Sequence, residues 1–292
     1  MKAIKSEDFR VTNRIELKAF TTFFNLEASE KKKEKQLQKI RKKLSKVQDK
    51  MYAYNKYSVL ICLQGMDTAG KDSLIREVFK EFNARGVEVH SFKIPSSTEI
   101  DHDFLWRHYV ALPAKGKFSV FNRTHYENVL VTRVHPNYLM NENIPNIEKV
   151  EDITDDFWEN RFESINAFEK HLASNGVIIM KFFLHLSKEE QRQRLLRRLE
   201  KEQHNWKFSP GDLKERELWN TYQECYEDVL NNTSKDYAPW FVVPADNKET
   251  ARYIVAKIML DELNKYDFHY PELQDDIKSN IKIYHDQLNS EA

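Results

Sequence analysis

Residues 65–72 read GMDTAGKD and have the spacing G-x-x-x-x-G-K. In a phosphate-binding loop of this spacing, backbone N–H groups cradle a chain of phosphates while the lysine reaches the outer ones. An apolar run rich in strand formers precedes the loop at 57–63, and apolar residues with helical spacing follow it at 73–80. Strand, glycine loop and helix are the setting that this motif requires, and an ordinary tight turn is the alternative.

Glycine is scarce in this chain, which strengthens the interpretation of the loop. Ordinary proteins contain about 7% glycine, whereas this chain has six glycines in 292 residues. Two of the six are Gly65 and Gly70, and the other four fall at predicted junctions between elements. We therefore interpret the loop as a phosphate-binding site.

The overall composition excludes several classes of protein. Lys+Arg and Asp+Glu are equal at 46 each, so no global charge argues for nucleic acid or a membrane as partner. Cys62 lies in the first predicted strand and Cys225 in a charged helical stretch, which does not suggest a disulfide framework. The first residues lack the apolar core of a signal peptide, and no run approaches the ~20 apolar residues of a membrane span. We expect a cytoplasmic protein.

The segment before the loop divides into an arm and a long helix. Residues 1–27 show little periodicity and are expected to lie over the core. A helix is predicted from the N-cap Ser29 to about Lys56, with apolar residues spaced three and four apart. That stripe packs on its own domain or forms a dimer contact. Ten Lys or Arg residues against three acids between 28 and 50 make the polar face basic, either as a solvated surface or as a guide for a polyanion.

The remaining chain alternates strands with helices. Strands are predicted at 86–94, 117–121, 176–186 and 240–243, and the main helices at 155–174, from Ser187 onward and at 248–263. This pattern predicts a three-layer α/β/α fold of the P-loop kinase type with a five-stranded parallel sheet. We expect a single domain over 1–292, with an arm and basic helix at 1–56 and a helical lid at about 187–222.

Ligands gather at the carboxyl ends of the strands in such a sheet. The loop lysine, Lys71, is expected on the transferred phosphoryl group. Asp72 occupies the position where most such loops have the Ser or Thr that binds Mg²⁺. Asp67 could supply the missing oxygen ligand, or act as a base, or instead stabilise the loop as an Asx turn.

Four arginines follow the fourth strand, at positions 192, 194, 197 and 198. They form either a solvated helix face or a lid that closes on phosphates, where arginine stabilises the charge of a transferring phosphoryl group. The position after a sheet strand favours the lid, and we expect Arg194 and Arg198 to contact phosphate.

Four separated blocks of sequence together resemble the family 2 polyphosphate kinases: residues 65–72, GMDTAGKD; 112–116, LPAKG; 121–127, FNRTHYE; and 206–212, WKFSPGD. The resemblance runs from about residue 15 to 270. It implies a fold similar to that of thymidylate kinases and reversible, Mg²⁺-dependent transfer of the terminal phosphoryl group of inorganic polyphosphate to a nucleotide.

The resemblance also implies roles for individual residues. Asp67 matches the family's catalytic carboxylate, which binds metal or activates the acceptor, while Lys71 and Arg123 match residues on phosphates. Many members have Asp where this chain has Asn122; members with Asn there resemble the subgroup that phosphorylates nucleoside mono- and diphosphates, with Glu127 providing the displaced carboxylate. The phosphate-loop motif and the resemblance together make Asp67 the candidate metal ligand. The candidate phosphate- or nucleotide-binding residues are Gly65, Met66, Thr68, Ala69, Gly70, Asp72, Asn122, Arg133, Arg194 and Arg198.

The expected function is transfer from polyphosphate to AMP and ADP, giving ADP and ATP, with guanine nucleotides as further acceptors and Mg²⁺ or Mn²⁺ as cofactor. We expect a homo-oligomer, a dimer or a tetramer. Two alternatives remain open: an ATP-dependent nucleoside monophosphate or small-molecule kinase of the same fold, and a nucleotide-triggered binding protein without transfer chemistry.

Overall fold

The computed structural model describes residues 1–291 and contains one five-stranded sheet in which all strands are parallel. The strand order is β2-β3-β1-β4-β5, so the chain builds one side of β1 and then crosses to the other. Ligand crevices form where the strand order reverses in this way. The predicted parallel sheet is confirmed, with strands β1 Ser58–Gln64, β2 Val87–Ser91, β3 Phe118–Asn122, β4 Val177–His185 and β5 Trp240–Pro244.

Helices cover both faces of the sheet. They are α1 Glu30–Tyr54, α2 Lys71–Val78, α3 Ser97–Ile100, α4 Trp106–Tyr109, α5 Glu127–Val134, α6 Asp155–Ser174, α7 Lys188–Glu200, α8 Glu202–Asn205, α9 Pro210–Glu217, α10 Trp219–Thr233, α11 Lys248–Leu263 and α12 Asp275–Ser290. The bounds of α6 and α11 agree with the sequence-based prediction. Helices α5 and α12 and the short helix α3 were not predicted. Among residues 1–291, no helix is long and apolar enough to cross a membrane.

Helix α1 packs on its own domain. Its N-cap Ser29 accepts a hydrogen bond from the backbone N–H of Lys32, as the sequence predicts. Leu37, Leu44 and Met51 are buried in the core that α1 shares with α11. The apolar stripe is therefore covered inside the chain.

The N-terminal arm covers the edge of the sheet at β5. The backbone N–H of Val11 donates to the carbonyl of Trp240 at 2.9 Å, and Leu17 and Leu26 are buried. A covered edge offers no unpaired strand to another chain. The opposite edge strand, β2, is the only one of the five with exposed residues.

Candidate active site

The loop at 65–72 connects β1 to α2 through three residues with positive φ. Gly70 has φ +105° and Thr68 has φ +67°. Gly65 has φ +151°, and a Cβ placed on it would lie 3.0 Å from the carbonyl oxygen of Leu184. The loop thus passes close to β4 and then turns into the N-terminus of α2, which carries a partial positive charge. This geometry suits a phosphate site.

A cleft of about 710 Å³ opens beside the loop at the carboxyl ends of the strands. Three carboxylates line it, from Asp67, Asp72 and Asp212. Eleven cationic side chains face them: Lys71, Arg76, Lys93, Arg123, Arg194, Arg197, Arg198, Lys201, Lys207, Lys248 and Arg252. Such an excess of positive charge, in a chain whose net charge is zero, selects for a polyanionic ligand.

Most of the predicted site residues meet in this cleft. From the loop they are Asp67, Thr68, Ala69, Gly70, Lys71 and Asp72, and from elsewhere Asn122, Arg123, Arg194 and Arg198. Gly65 and Met66 lie outside the lining, and Met66 is buried in the core beneath the loop. Glu127 reaches the site through Arg123, as described next.

Arg123 sits between two carboxylates. Its guanidinium lies 2.9 Å from Oδ1 of Asp67 and 3.5 Å from Oε2 of Glu127. Burial opposes the charge of Arg123, but Glu127 and Asp67 outweigh it and raise the pKa of the guanidinium. The residue has φ +59°, a strained conformation for a side chain of this size. One network of ion pairs thus joins Asp67 of the loop to Arg123 and Glu127.

Lys71 folds back onto its own loop. Its Nζ donates to the carbonyl of Gly65 at 2.6 Å and, more weakly, to that of Met66 at 3.4 Å. Burial and the neighbouring charge of Arg123 lower the pKa of Lys71 to about 8. A phosphate placed in the loop would restore the ordinary preference of this amine for its charged form.

The amide at Asn122 is explained by the carboxylate at Asp72. Nδ2 of Asn122 donates to Oδ1 of Asp72 at 2.6 Å and to Oγ of Ser91 at 3.3 Å. An aspartate at 122 would oppose Asp72 at this distance, and two carboxylates so close cannot both stay ionised without a cation between them. Asn122, where many family members have aspartate, is therefore compatible with the carboxylate of Asp72 in the neighbouring loop.

A buried polar network lies beneath the segment that carries Arg123 and Glu127. Lys181, in the middle of β4, donates to Oε2 of Glu169 at 2.5 Å, to the hydroxyl of Tyr126 at 2.7 Å and to the carbonyl of Thr233 at 2.7 Å. Oε1 of Glu169 in turn accepts from Tyr126 and from His125. The ammonium of Lys181 holds the pKa of the Glu169 carboxyl below its usual value, against the effect of burial. This network anchors His125 and Tyr126, which lie between Arg123 and Glu127 in the chain.

The sequence did not reveal this network. The run at 176–186 was predicted only as a strand, and Glu169 was not distinguished on α6. A lysine inside an apolar strand was the available signal, because a buried ammonium requires a partner.

Two predicted phosphate contacts have other partners in the structure. Arg133 donates to Oδ2 of Asp228 at 2.8 Å and lies over the ring of Trp158, outside the cleft lining. Arg194 is buried, and its guanidinium donates to backbone carbonyls and to Glu190. The N–H groups of Arg194 are already used by protein acceptors, and Arg133 is held by α10. Phosphate contact by either residue stays a prediction.

Much of the cleft's charge comes from residues that the sequence analysis did not single out, and the cleft bears on the two alternatives for α1. No residue of α1 lines the cleft, so its basic face is a solvated surface in this structure. Lys248 and Arg252 of α11, Lys93 after β2, and Lys201 and Lys207 of the lid region contribute instead. Sequence reasoning missed them because each is a single cation in a mixed segment.

The parallel sheet, the glycine loop at its carboxyl edge and the cationic cleft define a phosphotransferase of the P-loop type. Residues 27–271 match the family model of polyphosphate kinase 2, and the chain belongs to that family.

The similarity extends to characterised relatives and to solved structures. An ADP-polyphosphate phosphotransferase of Rhodopseudomonas palustris is 48% identical, covering 79% of this chain and 78% of that protein. An AMP/ADP-polyphosphate phosphotransferase of Meiothermus ruber is 42% identical, covering 80% and 82%. The crystal structure of polyphosphate kinase 2 from Arthrobacter aurescens TC1 superposes with a TM-score of 0.87 at 32% identity, covering 96% of each chain.

Proposed function

We propose that this protein transfers the terminal phosphoryl group of inorganic polyphosphate to AMP and ADP, giving ADP and ATP, in a reversible reaction. The excess of cations around the phosphate loop carries the proposal, because polyphosphate bears about one negative charge per phosphate, as a nucleic-acid backbone does. The relatives named for ADP and for AMP/ADP support the choice of acceptors. Guanine nucleotides remain candidate acceptors.

The residues of the cleft fit a divalent cation held jointly with substrate. Within residues 1–291, no three His, Cys, Asp or Glu side chains gather closely enough to hold a metal alone. Mg²⁺ commonly takes one or two carboxylates and completes its shell with substrate phosphates and water. Asp67, whose side chain is 29% exposed in the cleft, fits that role for Mg²⁺ or Mn²⁺. When bound, the ion would neutralise charge on the transferred phosphoryl group.

The protein side chains would position the reactants and balance their charge. An oxygen of the acceptor's terminal phosphate attacks the terminal phosphorus of polyphosphate, and the bridging P–O bond breaks so that the shortened chain leaves with its electrons. Lys71 and Arg123 are placed to hold the transferred group, with Arg123 set by Asp67 and Glu127. No protein nucleophile is needed when the attacking oxygen is held in line.

We propose further that the chain is a single catalytic domain and that the region after β4 acts as a lid. Arg198 is 25% exposed and donates to Asp212 at 3.0 Å, which links α7 to α9 at the cleft. Burial and the charge of Asp67 raise the pKa of Asp212. A cation bound between Asp67 and Asp212 would hold this region more closely to the loop.

A cytoplasmic location and a homo-oligomeric state, dimer or tetramer, also stay predictions. Cys62 and Cys225 are both free and buried, which supports a reducing compartment. Light scattering of the purified protein would measure the oligomeric state.

The polyphosphate chain is expected to run over α11 and not over α1. Burial, together with the neighbouring charges of Arg194, Arg197 and Arg252, lowers the pKa of Lys248 to about 8. The double variant Lys248→Met/Arg252→Met should raise the KM for polyphosphate about 10-fold and flatten its dependence on salt, because each lost phosphate contact removes about 0.7 to 0.9 from the log-log slope. Steady-state kinetics at several salt concentrations would measure both quantities.

The matched control is Lys42→Met/Lys46→Met on the exposed face of α1. It should leave the KM for polyphosphate unchanged. If the α1 variant raised that KM and the α11 variant did not, the basic helix would be the guide.

Polyphosphate use is expected to weaken above pH 8. The free enzyme loses the protons of Lys71 and Lys248 near pH 8, whereas bound phosphate requires them, so kcat/KM for polyphosphate should fall as pH rises from 8 to 10. In Lys248→Arg, whose guanidinium keeps its proton over this range, only the fall due to Lys71 should remain. A pH profile that is flat to pH 10 would contradict the assignment.

The decisive experiment is an assay of the purified protein with AMP and Mg²⁺ and either polyphosphate or ATP. Formation of ADP and ATP with polyphosphate is the expected result. ADP formed only when ATP is present would establish the ATP-dependent kinase. No transfer with either donor, together with nucleotide binding that Asp67→Asn leaves unchanged, would establish the binding protein.

A further inference from the structure

Helix α7 holds three successive carbonyls of the phosphate loop. Nε2 of Gln191 donates to the carbonyl of Asp67 at 3.1 Å. Nη1 of Arg194 donates to the carbonyls of Thr68 at 3.0 Å and Ala69 at 2.9 Å. With Lys71 on the carbonyls of Gly65 and Met66, five consecutive carbonyls of the loop accept hydrogen bonds from side chains.

The guanidinium of Arg194 has no N–H left for a ligand. Besides the two loop carbonyls, Nη2 donates to the carbonyls of Ala245 at 2.6 Å and Asp246 at 3.1 Å, and Nε donates to Glu190 at 2.8 Å. An arginine has five N–H donors, and here five acceptors surround them. Its side chain is 3% exposed. The residue joins the loop, α7 and the segment after β5.

These bonds bear on the orientation of the loop's peptide groups. A carbonyl turned toward α7 turns its peptide N–H the other way, and Thr68 adopts φ +67° within the same turn. Successive N–H groups on one side of a turn form a concave anion site. Fixing them before the phosphate arrives avoids the cost of ordering the loop during binding.

We propose that Arg194, together with Gln191, is a positioning residue that presets the phosphate cradle and does not itself contact phosphate. The proposal rests on the proposed function only for the identity of the ligand. The proposal also places the beginning of the lid after Arg194, because the first two turns of α7 are hydrogen-bonded to the loop. Ser187 adds to this attachment, since its backbone N–H donates to Oδ1 of Asp246 at 2.8 Å.

Arg194→Lys separates positioning from direct contact. A lysine keeps the charge and can serve a phosphate as a point charge, but its three donors cannot replace five bonds in a fixed planar arrangement. Positioning predicts that kcat/KM for polyphosphate falls at least 10-fold in Arg194→Lys. A change of less than twofold would overturn the proposal.

Arg194→Met and Arg198→Met form a matched pair for salt dependence. Loss of a positioning charge should raise the KM while leaving the slope of log KM against log salt as in the wild type. Arg198→Met, which removes a partly exposed cation of the cleft, should lower that slope by about 0.7 to 0.9. An equal loss of slope in Arg194→Met would show that Arg194 contacts phosphate.

Gln191→Leu decides the matter if Arg194→Met does not fold, as judged by its thermal melt. Glutamine carries no charge, and its other partner, Arg216, lies outside the cleft lining. The expected rise in KM of about threefold or more, at an unchanged salt slope, is therefore assigned to the loop, and an unchanged KM would count against the proposal. All variants are assayed with the donor that the wild type uses. Inert polyphosphate would therefore refute the proposed function, while the same comparison with ATP would still test the role of Arg194.

Discussion

Lys71→Ala is expected to lower kcat for phosphoryl transfer about 10³-fold or more. Positively charged groups on a transferring phosphoryl group contribute 10³ to 10⁵ in rate in well-studied enzymes, and Lys71 is the cation carried by the loop itself. The fold should survive, because the variant loses hydrogen bonds to two loop carbonyls but also relieves a buried charge. We expect the free energy of unfolding to change by about 1 kcal/mol. Initial rates and a thermal melt on the same sample would measure both.

Lys42→Ala on the exposed face of α1 is the control for this variant. It makes the same chemical change outside the cleft and should leave kcat and Tm at the wild-type values. A Lys71→Ala protein that retains a tenth of the wild-type kcat would remove Lys71 from the proposed chemistry. One that loses activity only in proportion to its folded fraction would assign the residue a structural role.

Lys181→Met is expected to lower the free energy of unfolding by about 3–5 kcal/mol. Removing one partner of a buried ion pair leaves the other charge in the interior without compensation, and both Lys181 and Glu169 are fully buried. Activity should fall as well, since Tyr126 loses a hydrogen-bond partner next to Glu127. Chemical denaturation of both proteins, followed by fluorescence, would give the difference.

The double variant Lys181→Met/Glu169→Gln should recover most of the lost stability, because replacing a whole buried pair by neutral groups is often close to neutral. Lys257→Met breaks a partly exposed pair with Asp261 on α11 and should cost only about 0.3–0.5 kcal/mol. If Lys181→Met were as stable as Lys257→Met, the network would not hold the site together.

Much of the fold could be predicted because its signals are local. The parallel sheet follows from apolar strand runs that alternate with amphipathic helices, and the bounds of α6 and α11 follow from their periodicity. Helix α12 was missed although Ile277, Ile281, Tyr284 and Leu288 recur at helical spacing; the helix has no buried residue, so the periodicity was the one available signal. Helix α5 was missed because the polar motif at 122–127 runs directly into it.

The candidate site could be predicted only in part, and the arginines show why. Arg194 and Arg198 lie on the same helix and carry the same positive charge, and the sequence suggested phosphate contact for both. The structure places Arg194 against four backbone carbonyls and leaves Arg198 at the cleft. Arg133 was also named as a candidate phosphate-binding residue, and Asp228 and Trp158 hold it outside the cleft lining.

The sequence alone determined the phosphate loop, the parallel sheet and the family, because glycine spacing, hydrophobic periodicity and the four motif blocks are each written within a few consecutive residues. Tertiary structure alone decided which charges serve the cleft and which serve the framework. Lys181 with Glu169, Asn122 with Asp72, and Arg194 with the loop carbonyls are pairings between distant positions. Whether a charged side chain is free or fully bonded depends on partners brought together by the fold, so no local pattern could reveal it.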